Sequence, residues 1–135
     1  MKKTNFILLA LGFSLVFVAF SCKEEENPKA VVRVVESIDS VLVPVAKAFV
    51  QVGPATKETV LEDVLAEGYT NSSGNIEFEF SKELVLKAVA IKPKRDDAGN
   101  IIYKEDGKTP QKLKEGYKTL VLKKEYTDNK TIEVK

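Results

Sequence analysis

The order of hydrophobic and polar residues divides the chain into an apolar leader and a region of short alternating segments. Residues 6–20 are almost entirely apolar, and two lysines precede them. After residue 29 the apolar residues form short runs, and several of these alternate with polar residues, as in a strand that buries one face. No long segment has the convincing spacing of an amphipathic helix, so the pattern predicts an all-β domain.

Several segments have the composition or the alternation of a β-strand. The clearest are 31–35, 44–52, 76–80, 84–91, 117–122 and 131–134. Residues 59–66 fit a short helix as well as a strand, and we expect them to be a strand or irregular. About seven short strands separated by turn residues are typical of a β-sandwich.

The alternation also assigns faces to two of these segments. In 44–52 one face would carry Ala46, Ala48, Val50 and Val52, and in 76–80 the core face would carry Ile76, Phe78 and Phe80. Glu77 and Glu79 would then point to solvent. The turn cluster at 69–75, which precedes this second segment, predicts a β-hairpin.

A polar, turn-rich stretch at 93–115 predicts a protruding hairpin or a long loop. Loops on a rigid scaffold often carry binding residues, which makes Tyr103 the candidate ligand contact. Oxygen ligands suit calcium, and weak candidates are Asp96, Asp97, Asn100, Glu105 and Asp106. Their spacing differs from that of an EF-hand loop, so we expect a solvated acidic loop with no metal or cofactor.

The leader has the three parts of a signal peptide: a basic start, an apolar run, and a small residue before Cys22. The run of about 15 residues is shorter than the roughly 20 that span a bilayer. Cys22 is the only cysteine, so it has no partner for an intramolecular disulfide. Lipid attachment at Cys22 best explains why an exported protein would have a single cysteine. The alternatives are an ordinary secretory signal with an incidental cysteine, or an uncleaved anchor.

Two short motifs at this boundary carry resemblances. The sequence Ala19-Phe20-Ser21-Cys22 resembles a lipobox, in which the cysteine receives diacylglycerol, and two or more acyl chains give stable anchoring. The following Lys23, Glu24, Glu25 and Glu26 resemble the export signal of Bacteroidota-type lipoproteins. The resemblance implies an outer-membrane anchor on the cell surface; the alternative is a periplasmic face. We therefore expect a signal peptide at 1–21, a lipidated tether at 22–29 and one domain at 30–135.

Composition restricts the chemistry of this domain. The chain has 21 basic and 20 acidic residues, and this balance gives no electrostatic case for nucleic acid binding. It has no histidine, and its one cysteine is assigned to lipid, so serine–histidine and cysteine–histidine catalysis are excluded. The absence of tryptophan removes the strongest aromatic platform for sugars.

Three segments resemble the carboxypeptidase regulatory-like domains of the transthyretin-like (prealbumin-like) group. They are Pro44-Val45-Ala46-Lys47-Ala48-Phe49-Val50, Thr70-Asn71-Ser72-Ser73-Gly74-Asn75-Ile76-Glu77-Phe78 and Gly116-Tyr117. The resemblance implies a Greek-key sandwich of about seven strands, related to transthyretin-like and immunoglobulin-like folds, with a non-catalytic accessory role. The enzymatic branch acting on hydroxyisourate uses histidines and a different C-terminal motif, so that activity is not transferred.

Two functions fit these observations. The first is a non-enzymatic lipoprotein, anchored to the membrane through Cys22, that binds another envelope protein. The second is a surface glycan-binding component of a polysaccharide-capture system, with Tyr103 as a contact.

Overall fold

A computed structural model describes residues 24–135, and the expectations for residues 1–23, including Cys22 and Lys23, lie outside this range. The described chain is all-β and forms two packed sheets, which confirms the predicted β-sandwich. It has eight strands rather than about seven: β1 (Lys29–Ile38), β2 (Val41–Pro44), β3 (Phe49–Gly53), β4 (Ala66–Tyr69), β5 (Asn75–Glu79), β6 (Leu84–Pro93), β7 (Lys112–Leu122) and β8 (Thr127–Glu133).

The first sheet is built around β1. Its first half pairs with β5 on one edge and with β8, in parallel, on the other. Its second half pairs with β2 in an antiparallel hairpin. The backbone N–H of Val34 donates to the carbonyl of Gly74, and the carbonyl of Val34 accepts from the N–H of Val45. Since both groups of one residue point to the same edge of a strand, β5 and β2 follow one another along the same side of β1.

The second sheet has the order β4-β3-β6-β7 and is antiparallel throughout. The apolar segment predicted at 84–91 forms most of β6, which lies between β3 and β7 as expected for a central strand. Its outer face is only partly covered, since Val85 is 69% exposed. At the β7 edge the two sheets meet, because Glu115 and Lys135 exchange backbone hydrogen bonds of 3.3 and 3.1 Å.

The core lies between the sheets and consists of the inward residues of nearly every strand. Phe78 and Phe80 are buried and Ile76 packs against the core, while Glu77 and Glu79 are exposed, as their alternation predicts. The other core residues are Ala30, Val32, Val34, Val45, Ala48, Val50, Val52, Leu86, Ala88, Ala90, Leu120, Leu122, Ile132 and Val134.

Two predicted elements are wrong because the chain changes sheets where we expected it to stay in one. The segment 44–52 is not one strand: β2 ends at Pro44, and a turn with Lys47 at φ 53° leads into β3 of the other sheet. Ala46 is therefore exposed rather than on the core face. The turn at 71–75 does not close a hairpin, since β4 pairs with β3 and β5 pairs with β1.

One buried side chain holds these two crossings together. The hydroxyl of Thr70 donates to the carbonyl of Val45 at 2.6 Å and accepts from the N–H of Ala48 at 2.9 Å. The Thr70 backbone adds hydrogen bonds to Ala48 and Lys47. Gly74 completes the junction at φ 76°, where an added Cβ would lie 2.7 Å from the carbonyl oxygen of Val34. Two of the three segments that carry the family resemblance, 44–50 and 70–78, therefore form a structural joint.

The ambiguous segment 59–66 is irregular up to Leu65, and β4 begins at Ala66. It belongs to the loop between β3 and β4, where a single bridge joins Ala55 to Leu61. No helix of residues 24–135 is long and apolar enough to cross a membrane.

Candidate functional site

Two protruding elements lie at the same end of the sandwich, opposite the end where β1 begins. The first is the tip of the β1–β2 hairpin, and the second is the segment 94–111 between β6 and β7, which we call the excursion. The excursion is the protruding structure that the polar stretch 93–115 predicts. Backbone hydrogen bonds between Lys94 and both Gln111 and Ile102 fold it back onto itself.

Each of two tight turns in the excursion is organised by one aspartate. The Asp96 carboxylate accepts from the backbone N–H and from the side-chain amide of Asn100, at 2.8 and 3.2 Å. The Asp106 carboxylate accepts from the backbone N–H groups of Lys108 and Thr109, both at 2.8 Å. Hydrogen bonds from Asn100 lower the pKa of Asp96, and those from Thr109 and Lys108 lower that of Asp106 to about 2.

These turns separate the weak calcium candidates instead of gathering them. Asp96, Asp97 and Asn100 belong to the first turn, whereas Glu105 and Asp106 belong to the second. Within the described part of the chain, no three acidic, histidine or cysteine side chains come together as metal ligands. The carboxylates of Asp96 and Asp106 act as caps for their own turns.

Tyr103 lies between the two turns, where a bridge pairs it with Pro110. Its hydroxyl lies near that of Tyr69 on β4. Burial is the main cause that raises the pKa of Tyr69 to about 12, and the nearby Tyr103 and Glu67 add to it. Tyr69 in turn covers Phe49, with ring centroids 5.1 Å apart, and leaves Phe49 only 5% exposed. The Tyr103 residue itself stays 42% exposed, so it is available for contact.

A cleft with a volume of about 330 Å³ opens beside Tyr103. Its walls come from the excursion and from the turn between β2 and β3. They are lined by Lys47, Arg95, Gly99, Asn100, Ile101 and Tyr103. The structure thus brings Tyr103 and Asn100 together with two cations that the sequence analysis did not select. Lys47 could have been noticed only by recognising that its segment turns between sheets.

A buried carboxylate lies at the same end, between the sheets. The carboxylate of Glu36 on β1 forms ion pairs with the ammonium groups of Lys92 on β6, at 2.5 Å, and of Lys114 on β7, at 3.3 Å. The hydrogen bond from Lys92 outweighs the opposing effect of burial and, with Lys114, lowers the pKa of Glu36. The cluster ties the two sheets together across the end of the core.

The tip of the β1–β2 hairpin is apolar and exposed. Asp39 and Ser40 both have positive φ, as in the type I′ turn of a two-residue hairpin. The flanking side chains do not pack into the core: Ile38 is 48% exposed, Val41 62% and Leu42 58%. The sequence analysis ended the first strand before this hairpin and missed it, although Asp-Ser between apolar residues is a usable turn signal.

The described part of the predicted tether contacts the domain. Glu25 pairs with Lys124 at 2.6 Å, and Asn27 donates to the carboxylate of Glu79 at 2.8 Å. Pro28 is buried, and its carbonyl accepts from Phe80. Glu24, Glu25 and Glu26 are exposed, and their role in an export signal with Lys23 stays a prediction.

Comparisons with known proteins were made at the level of family models, curated sequences and solved structures. No protein-family model matches the sequence, and no curated protein matches it. Among solved structures, the crystal structure of GBS52, the minor pilin of Streptococcus agalactiae, is similar with a TM-score of 0.48 and 16% sequence identity. The match covers 82% of this chain and 44% of the pilin chain, so this chain spans less than half of that protein.

Proposed function

We propose that this chain is a non-enzymatic lipoprotein with a carboxypeptidase regulatory-like domain, which binds a protein of the cell envelope. The observation that carries the protein-binding role is the apolar tip of the β1–β2 hairpin. Exposed apolar residues scattered singly are ordinary, but Ile38 and Val41 are opposite one another on one face of the hairpin, and Leu42 adds a third exposed apolar side chain on the other face. Such a tip buries its side chains when a partner offers an apolar pocket.

The contact depends on these side chains more than on strand addition. Val45 donates its N–H to β1, so by alternation Leu42 and Pro44 direct their backbone groups to the outer edge of β2. Pro44 has no N–H to donate, which leaves Leu42 as the donor on that edge. A proline at this position is a usual protection against pairing with a foreign strand.

The test is affinity capture from solubilised outer membrane, comparing the unmodified protein with a Val41→Ser/Leu42→Ser variant. A partner recovered in stoichiometric amount by the first and lost by the second supports the proposal. Val85→Ser is the matched control, because Val85 is an exposed strand residue at a distance from the tip. Equal recovery by all three proteins would show that the tip is not the binding surface.

The anchor is tested separately. We infer diacylglycerol on Cys22 and display on the outer surface. Mass spectrometry of the native protein should find an N-terminal, acylated Cys22, and Cys22→Ser should move the protein out of the membrane fraction. Protease treatment of intact cells should remove the domain, whereas protection would place it on the periplasmic face.

A second candidate function, binding a surface glycan, is favoured by the exposed Tyr103 in the wall of the cleft. An aromatic ring can pack against the apolar face of a sugar, and clefts with a few polar groups fix its orientation. The prediction is retention of the protein in a polysaccharide gel, with retention lost in Tyr103→Ala. Tyr126→Ala is the control, since Tyr126 is as exposed but lies in the turn between β7 and β8.

A further inference from the structure

We propose that the cleft beside Tyr103 binds a carboxylate-bearing sugar, that is, a uronate unit of an acidic polysaccharide. This inference rests on the glycan-binding candidate function and specifies the class of its ligand. It is carried by two cations, Lys47 and Arg95, that line the cleft together with an exposed aromatic ring.

No glutamate of the described chain neutralises the two cations, in contrast to three lysines at the same end of the fold. Lys92, Lys114 and Lys112 all pair with glutamates. Within residues 24–135, neither Lys47 nor Arg95 forms an ion pair. Residues 1–23 contain no aspartate or glutamate that could supply one. The cleft therefore presents two positive charges, and none of the described residues that line it is acidic.

The acidic residue nearest in sequence, Asp96, stays ionised, but among the residues that the structure describes it forms no ion pair with Arg95. The Asp96 carboxylate accepts hydrogen bonds from Asn100, which engages it within its own turn. Arg95 donates one guanidinium N–H to the carbonyl of Gly99 at 2.9 Å. A guanidinium has five N–H donors in a fork that matches a carboxylate, so donors are left for a ligand.

The backbone positions from which the two cations extend are held by hydrogen bonds. Lys47 is in a left-handed turn, and its N–H donates to the carbonyl of buried Thr70 at 3.0 Å. Arg95 is bridged to Ile101 across the first turn of the excursion. A site whose groups are held before binding loses less entropy when the ligand arrives.

Size and backbone geometry favour a sugar over an acidic peptide. The volume of about 330 Å³ is near the lower end of the roughly 300–1,000 Å³ of small-molecule sites. An extended peptide needs a row of free backbone groups to pair with. In the excursion these groups bond to each other instead, between Asp96 and Asn100, Ile102 and Lys94, and Lys104 and Thr109.

The experiment measures the affinity of the purified protein for polygalacturonate, for its methyl-esterified form and for poly-glutamate, by titration calorimetry at low salt. We expect binding to polygalacturonate that weakens on esterification.

Lys47→Gln and Arg95→Gln should each weaken the affinity for polygalacturonate at least about tenfold, since each removes a charge-assisted hydrogen bond. The matched control is Lys108→Gln, in the second turn of the excursion and outside the cleft. Its affinity should stay within about twofold, and melting curves should show that all variants fold.

Each alternative result overturns the inference in a distinct way. Equal binding of the esterified polymer, lost in Tyr103→Ala, would leave glycan binding intact but remove the role of the cations. Binding of poly-glutamate as tightly as polygalacturonate would reassign the cleft to acidic peptides. No binding of any polysaccharide would reject both this inference and the glycan-binding function. Equal losses in the Lys108 variant and the cleft variants would show general charge attraction without a site.

Discussion

Replacing Thr70 by valine tests whether a single hydroxyl holds the two crossings between the sheets. Thr70 is 3% exposed, and valine keeps its shape while removing the oxygen. The substitution leaves the N–H of Ala48 and the carbonyl of Val45 without the partners that they have at 2.9 and 2.6 Å. A buried polar group that loses its partner costs about 1–3 kcal/mol. For the two groups together we expect a loss of about 2–4 kcal/mol in the free energy of unfolding.

A loss of this size is a large part of the stability of a small domain, which is about 5–15 kcal/mol. Urea unfolding followed by circular dichroism measures it, since the chain has no tryptophan for fluorescence. The midpoint should fall with an unchanged slope, and the melting temperature should drop by roughly 4 °C per kcal/mol.

The control is Thr119→Val, because Thr119 is an exposed residue of β7. Such surface substitutions change the free energy of unfolding by about 0.5 kcal/mol or less. Thr70→Ser should recover most of the loss, because serine keeps the hydroxyl. If Thr70→Val is no more harmful than Thr119→Val, the hydroxyl does not hold the joint and the reasoning fails.

Three further predictions concern the turns and the buried ion cluster. Gly99→Ala, at φ 86° in open space, should cost about 1 kcal/mol of unfolding free energy in urea titrations. Gly74→Ala should cost at least twice as much, because its Cβ also meets the carbonyl oxygen of Val34; equal costs would refute the close approach. The lowered pKa of folded Glu36 means that its contribution to stability is present above the ordinary value of 4.5 and is lost as pH falls through the folded pKa. The advantage of the unmodified protein over Glu36→Gln should therefore shrink on acidification, and a pH-independent difference would contradict this. Calcium should give no heat in calorimetry and no change in melting temperature, because the excursion uses its aspartates as turn caps; saturable heat would contradict that role.

The sequence predicts those parts of the fold in which packing alone sets the pattern. Residues 76–80 alternate strictly because one face of β5 meets the core. Residues 84–91 are predictable as a strand because Leu86, Ala88 and Ala90 face the same core. The excursion is predictable as well, because polar turn residues cannot form a buried strand.

The errors occur where local patterns do not reveal the partner strand. The segment 44–52 was predicted as one strand, although a turn separates β2 from β3 within it. Val45 and Ala48 are buried on either side of this turn, so apolar residues continue through it in the sequence. The turn at 71–75 has the composition of a hairpin, but composition does not state whether the next strand joins the same sheet. The cleft was missed for the same reason, since Lys47 and Arg95 are far apart in sequence and become neighbours only through these crossings.

The parallel pairing of β1 with β8 has a consequence for the order in which the protein can be completed. β1 is made before every other strand, but the register from Lys29↔Thr127 to Val35↔Glu133 cannot form until β8 has been synthesised. A nascent or partly translocated chain therefore carries its central strand with one side open, and the mean sequence separation of its contacts is large. Such a chain cannot complete its first sheet until β8 is available to pair with β1.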